Sequence, residues 1–280
     1  MTYVISVERL KNRLKNNLKN TVIIDVRFQL MDPEAGRKAY LQDHIPGAIF
    51  MDIEKDLSGK KLKHGGNHPL PDFTMLAAKL GKVGVDHDKT VVLYDDHNDM
   101  FAARAWWLLH YMGHNKVYVL DGGYTRWKET GNETTVEIPQ LKPKLFHLKM
   151  RPNQTANMEE VKEKVKQNAA VLIDSRAKER YLGDHEPMYA RAGHIPGAKH
   201  YFWKDVLDAN GSWKKKEALE KQFASLSKDE EIIVSCGSGI SACPNILALK
   251  LLEFKNVKLY PGSFSDWISY EDNEVAIGED

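Results

Sequence analysis

The chain has 280 residues, more than most single cores hold and enough for two domains of ordinary size. Its 40 Lys and Arg against 39 Asp and Glu leave a net charge of +1, so no nucleic-acid partner is expected; the lysine run 214–216 reads as a solvated helix face. No stretch approaches 18 consecutive apolar residues, and Arg9, Lys11, Arg13 and Lys15 interrupt the start, so neither a membrane partner nor a secretory signal is expected. Two cysteines, Cys236 and Cys243, are too few for a structural zinc site. They predict no metal, reduced thiols and a cytoplasmic location.

In chain order, β-branched runs occur at 22–26, 91–94 and 117–120, then again at 171–174, 232–235 and 257–260. Their length and near-continuous apolarity suit strands buried on both faces of a parallel sheet. Helical periodicity falls between them at 73–81, 102–112, 158–167, 217–225 and 243–254. Strand and helix in alternation predict an α/β fold with right-handed crossovers. Residues 131–152 carry Pro139, Pro143 and Pro152 with no helix period, and read as a partly extended connection.

The chain also repeats itself. Ile23-Ile24-Asp25-Val26-Arg27 returns 149 positions later as Leu172-Ile173-Asp174-Ser175-Arg176, and His44-Ile45-Pro46-Gly47-Ala48 returns at 194–198. The run 91–94 matches 232–235, and 117–127 matches 257–267. Four blocks in one order at a nearly constant offset indicate a duplicated domain. The expected division is a first domain at 1–140, a linker at 141–152 and a second domain at 153–280.

The copies differ where chemistry is expected. In the second, a strand runs into Cys236-Gly237-Ser238-Gly239-Ile240-Ser241 and a helix follows at once. The glycines let successive N–H groups turn inward over the helix N-terminus, and a thiolate there is stabilised over the thiol. Cys236 is therefore expected to be a partly exposed nucleophile. In the first copy Asp95 stands opposite Cys236, within Tyr94-Asp95-Asp96-His97-Asn98-Asp99, and carboxylates oppose anion binding. That copy is expected to be inert. An arbitrary cysteine is more often packed and unreactive, which is the expectation for Cys243, inside the helix beside Pro244.

Two copies with a cysteine loop only in the second resemble the tandem-domain rhodanese family, closest to the 3-mercaptopyruvate and thiosulfate sulfurtransferases. The resemblance spans nearly the whole chain. It implies two rhodanese-like domains, each a mainly parallel sheet flanked by helices, with no cofactor. It also implies transfer of a sulfane sulfur from a small-molecule donor, 3-mercaptopyruvate or thiosulfate, to a thiol, cyanide or protein-thiol acceptor through a Cys236 persulfide. The related phosphatases need an arginine at the sixth position after the cysteine; Ala242 occupies it here. Thiosulfate enzymes place basic residues after the cysteine, whereas mercaptopyruvate enzymes place Gly-Ser-Gly there, as at Gly237-Ser238-Gly239.

The resemblance further implies that Arg180 binds the donor carboxylate and that Gly237, Gly239, Ile240 and Ser241 cradle the transferred sulfur. Arg191, after Glu186-Pro187, is the candidate second arginine in a loop shorter than the family's. Ser238 matches the serine of a serine–histidine–carboxylate relay, His68 a histidine contributed by the first domain, and Glu54 stands where the family usually has aspartate. Arg176, His44 and His194, repeated or matched in both copies, are expected to serve the fold, as are His64, His97 and His114. The rival reading is a non-catalytic sulfur carrier or regulatory binding module on the same fold.

Overall fold

The computed structural model describes residues 3–96 and 100–279. The two repeats fold into two compact units. One comprises Met1–Gly59, Pro71–Arg151 and Leu207–Trp213; the other comprises Lys60–Leu70, Pro152–Val206 and Lys214–Asp280.

In the first unit the apolar runs become the interior strands β2 (Thr21–Asp25) and β4 (Thr90–Tyr94), buried at every position. β1 (Val4–Ile5), β3 (Ala48–Phe50) and β5 (Val117–Leu120) complete a sheet of order β1-β5-β4-β2-β3, parallel at each pairing. The helices are α1 (Val7–Asn17), α2 (Ala35–Gln42), α3 (Phe73–Lys82), α4 (Met100–Tyr111) and α5 (Gly123–Glu129). Ser6 caps α1 by accepting from the Arg9 N–H, and Val7 and Leu10 bury its inner face. α4 is buried along nearly its whole length, as a helix covering a parallel sheet must be.

The second unit holds α6 (Met158–Lys166), β6 (Val171–Asp174), α7 (Lys178–Leu182), β7 (Lys199–His200), α8 (Lys216–Gln222), β8 (Glu231–Ser235), α9 (Cys243–Leu251), β9 (Asn256–Leu259) and α10 (Ser263–Trp267). Its sheet runs β7-β6-β8-β9, again parallel throughout. Read from the other edge this is the order of the first sheet without β1, whose place beside the last strand is marked by the single bridge Thr155 to Leu259.

Duplication reaches individual contacts. Arg27 folds back on Asp25 and its guanidinium lies 4.1 Å from the centre of the Tyr124 ring; Arg176 does the same with Asp174, 4.0 Å from the Phe264 ring. His44 stacks on Tyr40 and His194 on Tyr181, each imidazole Nδ1 meeting the carbonyl of its stacking partner. These arginines and histidines serve the fold in both copies. The connection after α5 is extended, and its 144–151 portion lies along the first unit through Lys144 N to Gly81 O, Lys149 N to Met112 O and Arg151 N to Tyr111 O. Among the described residues no helix is long and apolar enough to cross a membrane.

Candidate active site

Cys236 follows the last residue of β8, at the carboxyl edge where open α/β sheets bind their ligands. Its Sγ accepts the Gly239 N–H at 3.1 Å, and its own N–H donates to Ser263 Oγ at 3.1 Å. The Phe264 N–H donates to the Cys236 carbonyl at 3.0 Å, and the Ser265 N–H to that of Gly237 at 2.9 Å. Gly239 has φ +81°, and a Cβ there would stand 2.3 Å from the Pro261 carbonyl oxygen, so both backbone sign and space require glycine. Ile240 is buried, Ser241 half-buried, and α9 begins at Cys243.

Cys236 is only 1% exposed, which corrects the expectation of a partly exposed thiol. The physical reason is the tightness of the loop: backbone amide, Ser263 and the sulfur occupy one small volume. Cys243 is buried as expected, its thiol donating to the Gly239 carbonyl at 3.5 Å.

Asp95 occupies the corresponding place in the first unit. The Tyr124 N–H donates to its carbonyl at 2.7 Å and the Thr125 N–H to that of Asp96 at 2.9 Å, matching the Cys236 and Gly237 contacts. Its carboxylate accepts the Ala102 N–H at 2.9 Å, so it satisfies a donor in the first turn of α4. His97 and Asp99, read from sequence as part of this loop, lie outside the described residues.

Ser263 is a site residue that sequence reading missed. It is fully buried with φ +52°, a left-handed backbone that non-glycine residues rarely adopt. Its hydroxyl donates to Tyr260 O at 2.8 Å, accepts from Cys236 N, and comes within 3.9 Å of Cys236 Sγ. The first copy has Gly123 at this point, with φ +59°. That substitution inside a repeated block was the available signal.

The segment Lys60–Leu70, expected in the first domain, belongs to the second unit. It is fastened along α10 and just beyond: Gly65 N–H to Asp266 Oδ1 at 2.7 Å, Asn67 N–H to Ser265 Oγ at 3.1 Å, and His64 Nδ1 with Ser269 Oγ at 2.8 Å. His64 also stacks on Tyr270. This places His68 Nδ1 2.8 Å from Ser238 Oγ, two residues from the cysteine. Glu54 lies in the first unit, exposed, in the turn after Asp52, whose carboxylate accepts its N–H at 2.8 Å. His114 is buried in the first unit, where burial first and then the neighbouring His87 and Lys116 push it down to about 4.

Arg180 meets the buried Glu186 through Nε at 3.0 Å and Nη2 at 2.9 Å, and Glu186 also takes Arg176 Nη1 at 3.3 Å. Burial alone would lower the Arg176 pKa, but the charges of Asp174 and Glu186 outweigh it and hold it above the usual arginine value. Arg191 is half-buried and makes no hydrogen bond or ion pair among the described residues. No group of three or more His, Cys, Asp or Glu is placed to hold a metal ion among those residues.

The rhodanese-like domain model matches residues 6–130 and again 157–270. The chain belongs to the rhodanese family. It is 41% identical to a probable 3-mercaptopyruvate sulfurtransferase of Pseudomonas aeruginosa, over 92% of this chain and 93% of that protein. It is 37% identical to the putative thiosulfate sulfurtransferase SseB of Mycobacterium tuberculosis, over 91% and 90%. Among solved structures it is similar to SseA of Escherichia coli, described as a 3-mercaptopyruvate sulfotransferase with the rhodanese fold. That match has a TM-score of 0.83 and 32% identity over 95% of this chain and all of that one. Two rhodanese domains in tandem, one of them with a cysteine loop, are thus the family's architecture as this chain carries it.

Proposed function

We propose that this rhodanese-family sulfurtransferase takes its sulfur from 3-mercaptopyruvate onto Cys236 and passes it to a thiol acceptor, with cyanide or a protein thiol able to serve in the same place. The Cys236 thiolate attacks the donor sulfur; the carbon–sulfur bond breaks, its electron pair stays on carbon, and the enolate of pyruvate leaves. Protonation of that enolate gives pyruvate, and Cys236 keeps the sulfur as a persulfide. The acceptor thiolate then attacks the outer sulfur and restores the Cys236 thiolate. Two half-reactions through a covalent intermediate give ping-pong kinetics.

The observation that carries this reading is the Gly239 N–H aimed at Cys236 Sγ, in the copy that has the cysteine. A fixed amide beside the sulfur stabilises its anionic forms without reorganisation, and the loop N–H groups from Gly237 to Ser241 are assigned to the outer sulfur. Arg180, in α7, is assigned to the donor carboxylate because a planar guanidinium already oriented by Glu186 suits that group; Arg191, in the loop that follows, is assigned as the second cation. The His68–Ser238 hydrogen bond is assigned as the proton route to the enolate. A persulfide enzyme with two thiols belongs in a reducing compartment, and the cytoplasm is the assigned location.

The test is mass spectrometry of the protein after donor addition. The peptide containing Cys236 should gain one sulfur, a thiol should remove it, and Cys236→Ser should neither gain sulfur nor turn over. A protein that takes up sulfur but shows no steady-state turnover would be a carrier. Faster charging by thiosulfate than by 3-mercaptopyruvate, judged by kcat/KM, would overturn the donor assignment.

A further inference from the structure

Tyr40 in the first unit and Tyr181 in the second are equivalent: each stacks on the histidine of its repeat, and each hydroxyl donates to the carbonyl of the alanine in that motif, Ala48 or Ala198. Tyrosine and histidine stand 4 residues apart in the first copy and 13 apart in the second. The additional residues form the loop that carries Glu186, Tyr189 and Arg191. An insertion confined to the copy with the cysteine is where substrate recognition can be added without disturbing the shared fold.

Tyr189 is the member of this loop that reaches the cysteine turn. A Cβ on Gly237 would stand 2.7 Å from the Tyr189 hydroxyl oxygen, so the phenol lies directly over the residue after Cys236. Gly237 does not have positive φ, so its backbone makes no demand for glycine; a side chain there would meet the phenol first. On its other side, the Tyr189 ring centre is 5.2 Å from the Arg180 guanidinium carbon. The ring also packs 6.0 Å from Phe264, centre to centre, at the margin of the second unit's core, which fixes its direction. Burial first, and then the charge of Cys236, push its pKa above the usual tyrosine value against the opposing pull of Arg180. The phenol therefore stays protonated at neutral pH and keeps a proton to donate.

We propose that Tyr189 is a catalytic residue of the transfer reaction, its hydroxyl donating a hydrogen bond to the keto oxygen of the 2-oxo acid donor. In such a donor the keto carbon lies between the carboxylate and the carbon bearing sulfur. With sulfur at Cys236 and carboxylate at Arg180, the keto oxygen falls between them, which is where the phenol stands. As the carbon–sulfur bond breaks, this oxygen gains the charge of the enolate, and the hydrogen bond strengthens in step. The proposal rests on the donor reading given above and adds the group that distinguishes a 2-oxo acid from a donor without a carbonyl.

Tyr189→Phe keeps the ring and its packing and removes only the hydroxyl. The experiment measures kcat/KM of wild type and this variant with 3-mercaptopyruvate and with thiosulfate, which has no keto oxygen. The ratio of the mercaptopyruvate to the thiosulfate value is expected to fall about 10- to 100-fold in the variant. The constant for inhibition by pyruvate, which has the same carboxylate and keto oxygen, should rise in parallel. An unchanged ratio would overturn the assignment, whether both donors kept their rates or lost them equally, the latter meaning that the phenol merely shapes the loop. Failure of the donor reading itself would appear in the wild type, as no Cys236 persulfide from 3-mercaptopyruvate, before any variant is compared.

Discussion

Ser263 shows how one side chain is kept in a conformation that its backbone resists. A non-glycine residue at φ +52° costs on the order of 1–2 kcal/mol, and Gly123 avoids that cost at the same point of the first copy. What the serine gains is a buried partner for Cys236 N and a hydroxyl near Cys236 Sγ. Two substitutions separate strain from contact. Ser263→Ala keeps the strain and leaves the Cys236 N–H without its partner, an expected loss of about 1–3 kcal/mol. Ser263→Gly loses the same contact but relieves the backbone, so it should be more stable than the alanine variant by about 1 kcal/mol. Both should transfer sulfur roughly tenfold more slowly, because the cysteine turn loses the same fixed contact. Thermal unfolding of the two variants side by side is the measurement, and an alanine variant as stable as the glycine one would remove strain from the explanation. The serine was hidden from sequence reading because its sign of φ is not written in its side chain; only the glycine opposite it in the repeat pointed there.

At the scale of elements, the segment Lys60–Leu70 decides how His68 is presented. Backbone N–H groups of Gly65 and Asn67 are taken by Asp266 and Ser265, so the strap is set by α10, the same helix whose first residue supports Cys236. One short helix thus aligns the nucleophile and the histidine. If the His68–Ser238 pair moves a proton to the leaving enolate, His68→Ala should lower kcat with 3-mercaptopyruvate by about 100-fold. Charging by thiosulfate, which releases no enolate, should lose far less, and the unfolding temperature should stay within a few degrees. Equal losses with both donors would show a positioning role and remove His68 from proton transfer. Sequence periodicity found the long, fully buried strands and helices within one or two residues at most ends, because burial on both faces leaves an unbroken apolar signal. It did not find β1, β3, β7, α7 or α10, which have two to five residues each and are too short for any period to show, nor α1, α2 and α5, which bury only two or three residues each. Lys60–Leu70 falls within the first domain copy by sequence, and no local pattern records that its partners are Ser265, Asp266 and Ser269 some 200 positions away.

For the whole molecule, the repeat makes the first unit a built-in control for the second. Strand order, the aspartate–arginine pair, the tyrosine–histidine stack and the backbone contacts to Asp95 or Cys236 are held in common. These features therefore make a rhodanese fold and not a reactive sulfur. What the second unit adds is the cysteine, the strained serine in place of glycine, and the loop that carries Glu186, Tyr189 and Arg191. If reactivity depends on all of these together, restoring the cysteine alone should not restore chemistry. Asp95→Cys is expected to gain no sulfur at position 95 when 3-mercaptopyruvate or thiosulfate is added, while Cys236 in the same molecules is charged normally. The variant should also be less stable by roughly 0.5–2 kcal/mol, because the Ala102 N–H at the start of α4 loses its carboxylate. Peptide mass spectrometry of the variant reads both cysteines in one experiment. Persulfide at position 95 would mean that the turn after β4 already suffices, and that the inserted loop and Ser263 contribute selectivity, not reactivity.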